Sequence, residues 1–166
     1  MLVRVLVSEA DFSLDAEMFR MKSELGQAET GAMASFVGLV RHDGTKGGVN
    51  AMELEHYPGM TEKSLTDIAT AASERWSLQA ATIIHRVGRL LPGDQIVLVL
   101  TASAHRKDAL SACDFIMDYL KTRAPFWKKE HRDAGSVWVA ARATDEVAAA
   151  SWEKPSKPIK KTPERP

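Results

Sequence analysis

The chain has 166 residues, 45% of them hydrophobic and 27% charged, which is enough for one domain with a substantial core. Lys plus Arg number 22 and Asp plus Glu number 22, so no net field recruits nucleic acid or a membrane surface, and any basic site must be local. A single cysteine excludes an internal disulfide and a multi-cysteine zinc site. The first residues, MLVRVLVSEADF, form an apolar run broken by Arg4 and followed by acids. That pattern fits neither a signal peptide nor a membrane span, and the expected location is the cytosol.

Residues 2–8, short and rich in Val and Leu, read as a mostly buried strand. Ser13 is placed to cap a helix running to Leu25, with Asp15 and Glu17 in its first turn and Gly26 to end it. Leu14, Met18, Met21 and Leu25 share one face of that helix as core filler. Residues 31–40, GAMASFVGLV, form a second strand that delivers Arg41 at its end. The following HDGTKGG lacks P-loop spacing and reads as a loop beside a site or as a hairpin connection. In residues 50–57, Met52, Leu54 and His56 alternate with Glu53, Glu55 and Tyr57, which predicts a third strand with its two carboxylates on a solvated face.

Pro58-Gly59 marks a turn, after which Thr61 caps a helix to Trp76 with Leu65, Ile68, Ala69 and Ala72 on one face. Residues 81–87 form a fourth strand, Leu91-Pro92-Gly93-Asp94 turns the chain, and residues 95–102 form a fifth. The central IVLVL implies burial on both faces, although periodicity alone leaves core and interface both open.

Ser103 is the expected cap of a third helix that opens with Ala104, His105, Arg106 and Lys107. Three basic residues there have the wrong sign for a helix N-terminus, whose free N–H groups carry partial positive charge. A phosphate would turn that conflict into a binding site, while Asp108 and solvent would relieve it without one. Ala109, Leu110, Cys113, Ile116, Met117 and Leu120 form the apolar stripe, so the only thiol reads as structural. The helix should stop at Ala124-Pro125, because Pro125 cannot continue it. Within FIMDYLKTRAPFWKKEHR, residues 121–132 around the stop gather Lys121, Arg123, Lys128, Lys129 and Arg132 against one acid, Glu130, with Phe126 and Trp127 among them and Tyr119 just before. An anionic ligand accounts for that gathering, and so does a solvated basic helix end. Residues 136–143 read as a last strand and residues 145–152 as a short helix. Residues 1–152 then form a single domain. Residues 153–166, rich in proline and lysine, read as a disordered tail.

LEHYPGMTEKSL, HRVGRLLPGDQIV, SAHR and FIMDYLKTRAPFWKKE together resemble the family of large, catalytic subunits of molybdopterin synthase, the MoaE family. The resemblance runs from about Leu2 to Trp152. It implies an α+β fold of the α/β-hammerhead type, with a mixed or antiparallel sheet and about three main helices. It implies a sulfurtransferase acting in molybdenum cofactor biosynthesis, without a cofactor or metal of its own. The implied substrate is cyclic pyranopterin monophosphate. The implied sulfur donor is the C-terminal Gly-Gly thiocarboxylate of a small ubiquitin-like partner, in a heterotetramer built on a dimer of large subunits. Carried over by motif, the catalytic residues are Lys121 and Lys128. The substrate contacts are Leu39, Val40, Arg41, His105, Arg106, Lys129 and Glu130. The pocket for the partner's tail takes Arg123, Phe126 and Trp127. His42, Lys46 and the tail carry no implied role.

The chemistry of the residues agrees with that implication. A thiol on the core stripe cannot carry sulfur, so sulfur must come from outside. Arg41, His105 and Arg106 suit a phosphate ester. Lysines crowded by cations release a proton more readily, which suits Lys121 to acid–base work and Lys128 to stabilising developing charge. Two other readings use the same residues. One is an RNA- or phosphate-binding module with Phe126 and Trp127 as stacking platforms, and the other is a scaffold with them as interface anchors.

Overall fold

The cap and stop residues at 13 and 26 delimit a first helix, and the period-2 runs on either side of it form strands. A computed structural model describes residues 1–26, 29–42, 48–139 and 143–153. Residues 43–47 of the glycine loop and residues 154–166 of the tail, with the expectations made for them, lie outside the described residues.

The elements run β1 (Leu2–Ser8), α1 (Leu14–Leu25), β2 (Ala32–Leu39), β3 (Val49–His56), α2 (Met60–Arg75) and β4 (Leu78–Arg86). Then follow β5 (Gly88–Leu90), β6 (Gln95–Ser103), α3 (Arg106–Arg123), β7 (Phe126–Arg132), β8 (Gly135–Val139) and α4 (Ala143–Ser151). They make the expected α+β architecture as two four-stranded sheets with four helices. One sheet has the order β1-β4-β6-β2 and the other β5-β3-β7-β8. In the first, β1 is parallel to β4 and the other pairs are antiparallel; the second is antiparallel throughout.

The first sheet carries helices on both faces. Val97 and Val99 of β6 pack with Leu65, Ile68, Ala112 and Ile116 from α2 and α3. Leu98 and Leu100, pointing the other way, pack with Met21 and with Leu14, Met18 and Leu25 of α1. The apolar run of β6 is therefore core on both sides, which settles the choice between core and interface. The α1 helix starts and stops where expected, with the Ser13 hydroxyl accepting from Ala16 N–H and Gly26 at φ 71°.

Several details differ from the sequence-based expectation. Leu110, expected on the buried stripe of α3, is 61% exposed, and β1, expected to be mostly buried, is only half-buried at an edge of its sheet. Residues 126–132, to which the sequence assigned no element, are a strand, because they pair with β3 along their length and with β8 from Lys128 to Arg132. The short strand β5 pairs with β3 just before the Leu91–Asp94 turn. Thr61 is not the cap of α2: Gly59 at φ 82° is, with its N–H bound by the Glu62 carboxylate, and Thr61 lies buried in the first turn. Ser103 ends β6, and α3 begins two residues after Ala104, with His105 as its N-cap.

Two charged or crowded positions of the fold respond to change in a calculable way. Gly31 N–H donates to Ser103 C=O, and a Cβ added to Gly31 would collide with the Ala104 carbonyl in the β6–α3 connection. Gly31→Ala is expected to lose about 1–3 kcal/mol of stability, read from urea denaturation. His85 is buried, and burial above all lowers its pKa to about 4; the charge of His56 lowers it further, and the bond from Nδ1–H to the Arg86 carbonyl raises it. The unfolded histidine takes up a proton near 6.5 and the folded one refuses it until about 4, so stability is full above this window and falls as pH drops through it. Between pH 7.5 and 5 the His85 contribution to unfolding stability should fall by about 2 kcal/mol and vanish in His85→Phe.

Candidate active site

The site is built on two elements joined at Ala124–Pro125. The α3 helix presents Lys121 and Arg123 in its last turn, both exposed. The corner ends it, with Ala124 extended (φ −83°, ψ 133°) as a residue before proline must be. Strand β7 follows at once with Phe126.

Strand alternation then divides the rest of the basic stretch. Phe126, Lys128, Glu130 and Arg132 point to one face of β7, and Trp127, Lys129 and His131 to the other. The register opposes Lys128 to Leu54 and Glu130 to Met52. Met52 and Leu54 belong to a small core with Val40 and Leu90. The end of β2, where Leu39, Val40 and Arg41 lie, therefore meets the face of the second sheet that carries Lys128 and Glu130. Val40 itself is buried, and its N–H and C=O bind Asp94 C=O and Gly93 N–H at 2.8 Å each. Leu39 and Arg41 are the exposed members of that trio.

Glu130 is 7% exposed and engages both carboxylate oxygens: Lys128 Nζ at 2.8 Å and Arg132 Nη2 at 2.7 Å. Burial disfavours its charge, but the bonds and charges of Lys128 and Arg132 outweigh burial and hold its pKa below the usual carboxylate value. Lys121 Nζ lies 3.9 Å from Asp145 Oδ1 of α4. The expectation that each lysine is crowded by cations is thus not what the fold builds, since each is paired with a carboxylate. Arg123 pairs with Glu153 at 3.7 Å. The Phe126 ring stacks on His85 at 3.9 Å.

The remaining residues lie elsewhere. Trp127 and Lys129 are on the outer face of β7, where Lys129 Nζ sits 5.4 Å over the Trp138 ring. Phe126 and Trp127 therefore face opposite sides of β7. His105 and Arg106 stand exposed at the head of α3. Fifteen residues of helix put Arg106 about 22 Å from Lys121 along the axis. At the head of α3 His105 N–H donates to the Ser103 hydroxyl at 3.3 Å, and the N-cap His105 makes no side-chain capping bond.

Cys113 is buried against β6, and burial, then the charge of Asp114, pushes its thiol up to about 12. It is no nucleophile. Among the described residues no group of three or more His, Cys, Asp or Glu side chains is placed to hold a metal ion. No described helix is long and apolar enough to cross a membrane.

The sequence reading names Arg132 without its place in the site, and it does not place Asp145 there at all. Arg132 completes the Lys128–Glu130–Arg132 row, whose i, i+2, i+4 spacing marks one strand face once residues 126–132 are known to be extended. Asp145 is seen beside Lys121 only when α4 folds back on α3. Trp152 anchors that fold-back, edge-on to Trp76 and Phe115, with its indole N–H donated to Asp118 at 2.8 Å.

The chain is similar to proteins of one kind. A family model described as MoaE protein matches residues 7–123. A protein of Ralstonia nicotianae described as molybdopterin synthase catalytic subunit is 57% identical over 148 residues, covering 89% of this chain and 83% of the relative. One of Vibrio cholerae with the same description is 53% identical over 150 residues, covering 90% and 98%. The solved structure of the molybdopterin biosynthesis MoaE protein from Burkholderia ambifaria superposes with a TM-score of 0.78 at 51% identity, covering 93% of this chain and all of that one. By the family match and by identity over most of its length, this chain belongs to the MoaE protein family.

Proposed function

We propose that the chain is the catalytic subunit of a molybdopterin synthase, a sulfurtransferase of molybdenum cofactor biosynthesis working in the cytosol. The observation that carries this is the identity of 57% across 89% of the chain with a relative so described. The site supports the same reading. The only thiol is buried and held protonated, so sulfur has to be delivered, and a partner's thiocarboxylate delivers it. A catalytic subunit is one chain of an assembly, which fits a small ubiquitin-like partner carrying that group at its C-terminus.

In this reading the thiocarboxylate sulfur attacks a side-chain carbon of cyclic pyranopterin monophosphate. A C–S bond forms as a C–O bond breaks. Lys121 gives the departing oxygen its proton, and water then cleaves the acyl–sulfur bond to leave the thiol on the pterin and a carboxylate on the partner. Lys128, held by Glu130, presents its ammonium to the negative charge on the acyl oxygen. Glu130 is a bracket for Lys128 here, with both oxygens already taken. Arg41 sits at the rim of the same face.

His105 and Arg106 are phosphate donors in chemistry but lie at the wrong end of α3 to serve the lysines of their own chain. A monophosphate of a small fused-ring system is far shorter than the roughly 22 Å separating them. In a dimer of large subunits, the head of one α3 supplies the phosphate site for the lysines of the other chain. Lys129 and Trp127, on the outer face, are then free to meet a partner chain.

With thiocarboxylated small subunit and cyclic pyranopterin monophosphate, the wild type should form dithiolene product in a single turnover. Lys121→Ala should lower the rate by about 100-fold or more, as loss of a general acid does, with partner affinity retained. Loss of partner affinity instead would make Lys121 a docking residue. Lack of product from folded, partner-bound wild type would remove the proposal.

A further inference from the structure

The relation between Lys121 and Lys128 is fixed by the Ala124–Pro125 corner, and that corner has little bonding of its own. Phe126 N–H donates to Ala124 C=O at 2.9 Å, and Pro125 has no N–H to give. The corner is held from outside, by Thr61 in the first turn of α2.

Thr61 is fully buried, and its hydroxyl uses both of its capacities. It accepts from Tyr57 N–H at 3.1 Å and donates to Pro125 C=O at 3.1 Å. Tyr57 directly follows β3, the strand paired with β7. One oxygen therefore ties together the end of β3, the head of α2 and the corner between the two lysines. No other residue type keeps this arrangement except serine: alanine lacks the oxygen, and valine replaces it with a methyl that can bond neither Tyr57 N–H nor Pro125 C=O. On the far side of the corner the Phe126 ring rests on buried His85, which fixes where β7 begins.

We infer that Thr61 is a positioning residue for sulfur transfer, setting Lys121 and Lys128 against each other through the Pro125 carbonyl. The inference rests on the reading of those two lysines as the reacting pair. Its chemistry predicts a loss in the rate of the chemical step without loss of substrate or partner binding, because displacing a reacting group by about 1 Å costs on the order of 100-fold.

Three substitutions separate the hydroxyl from the methyl. Thr61→Ser keeps the oxygen, Thr61→Ala differs from it only by lacking that oxygen, and Thr61→Val keeps the volume without it. Single-turnover rates are measured at saturating cyclic pyranopterin monophosphate and saturating thiocarboxylated small subunit, well below each variant's melting temperature, beside wild type and Lys121→Ala. Thr61→Ala and Thr61→Val should be slower by about 10- to 100-fold with unchanged half-saturating concentrations, and Thr61→Ser should stay within about threefold of wild type. Wild-type rates in Thr61→Ala or Thr61→Val would overturn the inference, as would a Thr61→Ser variant as slow as Thr61→Ala. Should Thr61→Val fail to fold, the Ser and Ala pair decides. An inactive wild type would overturn the catalytic reading itself, which a wild type that turns over alongside fully active Thr61 variants would leave standing.

Discussion

The constraint on which the site depends is the length of a helix. The α3 helix has 18 residues, and its buried stripe of Ala109, Ala112, Cys113, Ile116, Met117 and Leu120 locks it onto β2, β6 and α2. A helix packed in this way neither bends nor shortens appreciably, since each residue adds about 1.5 Å of rise and its bonds are internal. The head with His105 and Arg106 and the lysine-bearing tail are held apart by that rod. Every proposal about the site has to respect that separation.

A second constraint acts across β7. The strand carries charge on both faces, and the fold treats the faces differently. On the inner face Lys128 and Arg132 bracket a buried carboxylate, so a group of charges becomes a rigid row that keeps one net positive charge beside an apolar cluster of Met52, Leu54 and Val40. On the outer face Lys129 lies over Trp138, and Trp127 is half exposed. Equal numbers of acids and bases over the whole chain are compatible with a local cationic site, because Lys121 and Arg123 each meet a carboxylate while Lys128 and Arg132 share one.

Much of the fold was legible because its signals are local. Ser13 and Gly26 delimit α1, since a hydroxyl cap and a left-handed glycine act within one turn. The IVLVL run of β6 declares burial on both faces. Strand β7 was not legible. Its sequence FWKKEHR is poor in β-branched residues and has the look of a basic turn, and it becomes extended only because β3, some seventy positions earlier, offers it a partner. Missing the strand hid the alternation, and with it the fact that Lys128 and Lys129 point to opposite faces. Thr61 was read as a cap because threonine followed by acids usually is one; its actual bond to Pro125 spans 64 positions and leaves no local trace. The residue types at the site were therefore readable from the chain, and their grouping was not.

Mixing two inactive variants tests the two-chain site most directly. Lys121→Ala and Arg106→Ala chains, each inactive alone, are co-folded with small subunit so that half of the dimers are mixed. In a mixed dimer one site loses both groups and the other keeps both. A shared site therefore predicts recovery of about one quarter of wild-type single-turnover product. If each chain holds a complete site of its own, the mixture forms no more product than either variant alone, and the division of labour along α3 is wrong.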